Sequence, residues 1–209
     1  MGGAKTVVIA LVLAIAGGVG YSLWVEKQKR DERRTVTALV GDTTSQLRAA
    51  LKSPPAPDLY ATLDGYHKAA RAPHDRPLAE AAGLYIQSAR EIVRHRADAE
   101  RMTREAAKSR RALAMHMGAA RGRDTYWFRV ATDLKKRVER DHFELGVSLK
   151  AISELLFTWP ETHKQIAPHV DASLLLEDRE RLEARARVDE QMKQAAAELE
   201  KVRRLALPR

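Results

Sequence analysis

Residues 6–25 read TVVIALVLAIAGGVGYSLWV, twenty consecutive positions without a charge. Wound as an α-helix they span about 30 Å, the thickness of a bilayer's hydrocarbon core. Tyr21 and Trp24 close one end, where amphipathic rings settle among lipid headgroups, and Lys5 brackets the other. The reading is a five-residue tail (1–5), a transmembrane anchor (6–25), a juxtamembrane amphipathic helix (26–52) and a helical bundle (58–207). Membrane lipid, through residues 6–25, is thus the first expected partner. A cleaved signal peptide is the competing reading, because Ala14, Ile15 and Ala16 resemble a small-x-small cleavage site. Against it, the uncharged run continues to Val25 and a helical pattern follows without a break.

Lys27, Lys29, Arg30, Arg33 and Arg34 follow the span, and only Lys5 and the amino terminus precede it. The positive-inside bias places the body on the cytoplasmic side of a bacterial inner membrane. A short tail with one lysine also begins many anchors of the opposite sense, which keeps the periplasm as the alternative. Ala10, Ala14 and Gly18 recur four apart on one face of the span, as Ala16 and Gly20 do. Small residues at that spacing let two membrane helices approach closely, although alanine and glycine are common in such helices anyway.

Beyond the anchor the chain reads as all-α. No segment alternates with period two, and no repeat of 20–50 residues recurs. Proline and glycine punctuate the helices: Pro54, Pro55 and Pro57, then Pro73 and Pro77, then Gly118 and Gly122, then Pro160 and Pro168. The spacing predicts bundle helices over about 58–71, 77–117, 124–158 and 171–207. The fourth helix of the chain carries a heptad-like seam: Trp127, Ala131, Leu134, Val138, Leu145, Ile152, Leu155 and Trp159. The last carries Val188, Met192, Ala195, Leu199 and Val202. Long helices with short links pack side by side, as an elongated bundle or antiparallel coiled-coil hairpin. Aromatics are scarce and alanine abundant, so the core should be thin. A scaffold would leave one apolar strip exposed, with Trp159 or the Val188–Val202 seam as candidates.

The charge is unevenly spread. Residues 101–140 hold twelve lysines and arginines against four acids, nearly all of the chain's net +9. Arg110, Arg111, Arg121, Arg123, Lys135, Lys136 and Arg137 are the candidate contacts to an anionic partner. Three readings compete: a solvated tip, an electrostatic contact with an acidic protein or anionic lipid, and nucleic-acid binding. Tyr126, Trp127 and Phe128 would supply stacking groups for the third, but no nucleic-acid motif accompanies them. Geometry separates the lipid and protein readings. If the helix after the short second one runs away from the membrane, the basic tip is distal and meets a soluble partner.

Catalytic signals are absent from the sequence. It has no cysteine, which excludes disulfides and thiol chemistry, and no phosphate loop or nucleophile elbow. Glu139 and His142 have the spacing of a di-iron ligand pair, with Asp64 and His67 a poor second copy. Met115, His116 and Met117 are ligands copper favours, but consecutive helical residues point apart. No cofactor is expected. The sequence supports a membrane-anchored binding or scaffold protein of a bacterial envelope assembly, joined to partners or to itself through helical seams. A ligand-sensing bundle is the alternative, and an enzyme with an unrecognised site the third class.

Overall fold

The computed structural model describes the backbone of residues 3–119 and 125–205, with side chains from residue 21 onward. The described residues form an all-α helical bundle: α1 (Gly3–Lys52), α2 (Leu59–Ala70), α3 (Arg76–Gly118), α4 (Thr125–Ile166) and α5 (Asp178–Arg203). A single 3-10 turn, Ala172–Leu174, precedes α5. Of the segment 6–25 the structure gives a helical backbone, and Ala10, Ala14 and Gly18 lie outside the residues whose side chains are described. Among the described residues no helix is long and apolar enough to cross a membrane.

Local chemistry sets the breaks. Three prolines end α1, and α2 begins just beyond them. The Asp75 carboxylate accepts from the Leu78 N–H and Pro77 fills the first turn, which starts α3. Glu177 and Glu180 form a reciprocal capping box at the start of α5. The polar middle of α3 stays helical because Ala99, Ala106, Ser109 and Leu113 keep a buried stripe under its charges.

Pro160 is the exception to the expected punctuation. Instead of ending at 158, α4 runs through it to Ile166, with Trp159 and Ile166 buried and Pro160 exposed. A proline inside a helix orphans the carbonyl four residues earlier. Here that carbonyl, on Leu156, accepts a 3.1 Å hydrogen bond from Nη1 of the buried Arg181. The last helix is also shorter than expected: residues 171–177 make the 3-10 turn and an extended connection, which bury Leu175 and Leu176.

Contacts along the helices fix their directions. Glu32 lies by His74, Thr44 by Tyr85 and the Ala50 carbonyl by Arg96, so α3 rises parallel to α1. Tyr85 meets Trp159, Glu105 meets Arg137 and His116 meets Trp127, so α4 descends antiparallel to α3. Ser153 bonds Asp189 and Lys135 reaches the end of α5, which makes α5 antiparallel to α4. The core is thick where α1, α2, α3, α4 and residues 170–176 converge, and thins to Leu113, Val138 and Val202 towards the far end.

Two polar connections lock the thick end. Leu176 N–H donates to the Tyr85 hydroxyl (3.2 Å), Tyr85 to Thr44 Oγ1 (2.7 Å), and Thr44 to the Val40 carbonyl (2.9 Å). Burial pushes the Tyr85 phenol up, so it stays a donor. Arg48 joins α1 to α5: its Nε reaches both Glu180 oxygens, at 3.0 and 2.8 Å, and its Nη2 the Leu175 carbonyl at 2.9 Å. Burial raises the Glu180 pKa, but the Arg48 bond, the Glu177 N–H and the Arg48 and Lys52 charges outweigh it and hold the carboxyl below 4.5.

A folded pKa below the unfolded one means the link is complete above the unfolded value and is lost as pH falls through the folded one. Stability should therefore drop as pH is lowered through and below 4.5. Arg48→Gln should flatten that part of the pH profile, measured by urea unfolding across the acid range. An unchanged profile would show that Glu180 contributes nothing to acid sensitivity.

Candidate functional site

The far end of the α3–α4 hairpin carries the chain's charge excess. Its mouth is closed by a reciprocal clasp: His116 Nε2 donates to the Trp127 carbonyl (3.0 Å), and Trp127 Nε1 to the His116 carbonyl (3.3 Å). The two rings stack with centroids 5.0 Å apart, and Phe128 sits edge-on to Trp127 at 5.2 Å. Trp127 is buried in this contact and so is spent as a stacking platform, while Tyr126 stays exposed beneath the Arg129 guanidinium.

The candidate cations divide into two groups. Arg110 pairs with Glu198 at 2.7 Å and ties α3 to α5. Lys135 Nζ donates to the Arg203 and Leu205 carbonyls, at 3.0 and 2.9 Å, and so caps the end of α5. Arg137 lies 3.7 Å from Glu105 and 4.0 Å from the buried Asp141. These three serve the fold. Arg111 and Lys136 are exposed and, among the described residues, pair with no acid; Arg104 and Lys108 are the same. Arg121 and Arg123 lie outside the described residues.

The free cations form outward stripes. Arg104, Lys108, Arg111 and Met115 follow one another three and four apart along α3, with Met115 77% exposed. Arg129, Lys136 and Arg140 recur on the outer side of α4 and lead to exposed Phe143 and Val147. Such a surface, basic and studded with apolar side chains, suits an acidic amphipathic partner better than solvent alone.

The apolar strip anticipated from the sequence lies elsewhere. Trp159, Val188 and Val202 are all buried, consumed by the packing of α4 on α3 and α5. Phe143, Val147 and Phe157 of α4 are the exposed residues instead, with Arg185 4.8 Å above the Phe157 ring. Periodicity marks an apolar face, and α4 carries two; it does not say which one the neighbours cover.

A second feature sits lower. α3 and α5 both pack on α4 but not on each other, and a cleft of about 300 Å³ opens between them. Ala99, Ala106 and Ala195 leave the space, His142 and Leu145 of α4 line it, and the Arg110–Glu198 pair borders it. His142 Nδ1 donates to the Val138 carbonyl at 2.9 Å, an orientation that holds its ring inward rather than beside Glu139. Among the described residues no group of three histidines, aspartates and glutamates converges as a metal site. Met115 and Met117 flank a His116 already committed to the clasp.

No family model, curated protein or solved structure matches the chain.

Proposed function

We propose that the chain is a single-pass, membrane-anchored helical stalk that holds a basic docking hairpin away from the bilayer for an acidic protein partner. Such a stalk would serve as a scaffold or adaptor of a bacterial envelope assembly. The observation that carries the reading is the parallel course of α1 and α3. Residues 6–25 supply the apolar length for the anchor, and exposed Tyr21, Leu23 and Trp24 continue it to the interface. From there α1 leaves the bilayer, α2 returns towards it, and the 43 residues of α3 leave again. The rise per residue puts the hairpin mouth about 75 Å from Val25, far beyond a Debye length of about 8 Å. The basic tip therefore faces a soluble partner and not the membrane that holds the anchor. Lysine and arginine counts favour a cytoplasmic body, and Ala10, Ala14 and Gly18 offer a face for pairing of two anchors.

The test reverses charges the fold does not use. Arg104→Glu, Lys108→Glu, Arg111→Glu and Lys136→Glu together should weaken crosslinking to the partner in intact membranes by about tenfold or more, with the helical signal intact. The residual association should fall further with salt. Crosslinking equal to wild type would return the tip to a merely solvating role. A C-terminal reporter active only in the cytoplasm decides the side of the membrane.

The cleft between α3 and α5 supports one other reading, a bundle that senses a small ligand. Ala106→Leu would fill it and should leave the crosslinking to the basic hairpin unchanged.

A further inference from the structure

The short return of α2 brings a second basic site to the opposite end of the body. The connection between α2 and α3 lies against α1 at Glu32 and Arg33: His74 pairs with Glu32 at 2.8 Å, and Asp75 with Arg33 at 3.5 Å. That level is about 10–12 Å beyond Val25, the depth of the headgroup layer. A cleft of about 640 Å³ opens there between α2 and the first turns of α3, lined by His67, Arg71, Arg76, Glu80, Gly83 and Gln87.

Its cations are available. The acids around the turn are occupied: Glu32 by His74, Asp75 by Arg33 and the α3 cap, and Asp64 by Lys68 and Arg90. Among the described residues Arg71 and Arg76 pair with no carboxylate. Arg71 is also held in place. Its stem crosses α3 at the buried Gly83, where a Cβ would come within 3.2 Å of Arg71 Cγ. The local field is positive enough to act on a neighbour: burial, then the Arg90 and Arg71 charges, hold the His67 imidazole below its usual value. The N-terminal turn of α3 adds its positive end to the same place.

We infer that this cleft binds the phosphate of an anionic lipid headgroup in the leaflet where α1 enters the bilayer, through Arg71 and Arg76. The inference rests on the anchor proposed above. It gives the body a second foothold on the membrane, which Lys27, Lys29, Arg30 and Arg34 extend along α1. Guanidinium groups suit the task because they take phosphate oxygens two at a time.

The full chain would be reconstituted into vesicles of phosphatidylcholine alone, or of phosphatidylcholine with about 30% phosphatidylglycerol to give an anionic surface. Flotation and hydrogen exchange at the amides of residues 68–80 would be followed in both. The chain should float with both, and these amides should exchange about tenfold more slowly only on the anionic vesicles. The double variant Arg71→Gln/Arg76→Gln should float equally and lose that slowing. Equal exchange on the two vesicles, with flotation intact, overturns the headgroup site alone. Slowing reproduced by inorganic phosphate on phosphatidylcholine vesicles assigns the cleft to a soluble phosphate and overturns it as well. A chain that stays in the unfloated fraction overturns the anchor, and the headgroup site with it.

Discussion

Trp159→Ala should lower the stability of the body by roughly 3–5 kcal/mol, the usual cost of emptying a fully buried aromatic site. Trp159 is 1% exposed at the point where α1, α3, α4 and residues 175–176 converge, and it stands edge-on to Tyr85 with centroids 4.9 Å apart. Its removal opens a cavity and frees Tyr85, the residue that connects Leu176 to Thr44. Two variants separate these effects. Trp159→Phe keeps a ring and deletes an indole N–H that has no acceptor among the described residues, so it should cost far less. Tyr85→Phe keeps the packing but strands the Leu176 N–H and the Thr44 hydroxyl, at about 1–3 kcal/mol. Urea unfolding with near-ultraviolet circular dichroism measures all three. A Trp159→Ala midpoint close to wild type would mean that this convergence does not hold the body together.

Arg181→Met should cost about 2–3 kcal/mol, because it strands the Leu156 carbonyl inside a bundle where water cannot replace the guanidinium. The proline one turn later makes the argument testable. Pro160→Ala restores the backbone N–H that Leu156 lacks and should stabilise α4. In that background the Arg181→Met penalty should shrink by about 1 kcal/mol or more, a coupling that only residues sharing a partner display. Additive effects in this cycle would break the link between the proline and the arginine. The pairing also explains how a helix can carry a proline at 160 and still reach Ile166: α5 supplies the missing donor.

These two sites show where sequence reading succeeds and where it stops. The three-and-four spacing of Val138, Leu145, Ile152 and Trp159 expresses a property of one helix, and all four residues are buried. Pro160 reads as a break because local rules know its ring and its missing N–H, and nothing local reports that Arg181, 21 residues later, will serve the orphaned carbonyl. The charge excess in residues 101–140 is plain from composition. Its division into structural cations, such as Arg110 and Lys135, and free ones, such as Arg111 and Lys136, depends on Glu198 and on the end of α5. Arg71 and Arg76 escape notice altogether, because neither stands in a run of like charge. They matter only once α2 folds back to the level of Arg33 and Gly83 makes room for a long side chain. Direction along the membrane normal was likewise a matter of two open alternatives until the Thr44–Tyr85 and Ala50–Arg96 contacts paired α1 with α3 in parallel.

The uninterrupted run of α3 beside α4 gives the body the mechanics of a lever pivoting at the lipid surface. Membrane helices tilt by about 20° on average, and over an arm of about 75 Å that swing moves the far hairpin by about 25 Å to either side. A single pivot would thus let the basic fingertips sweep a disc about 50 Å wide, an area large enough to find a sparse, laterally diffusing target without the chain itself travelling.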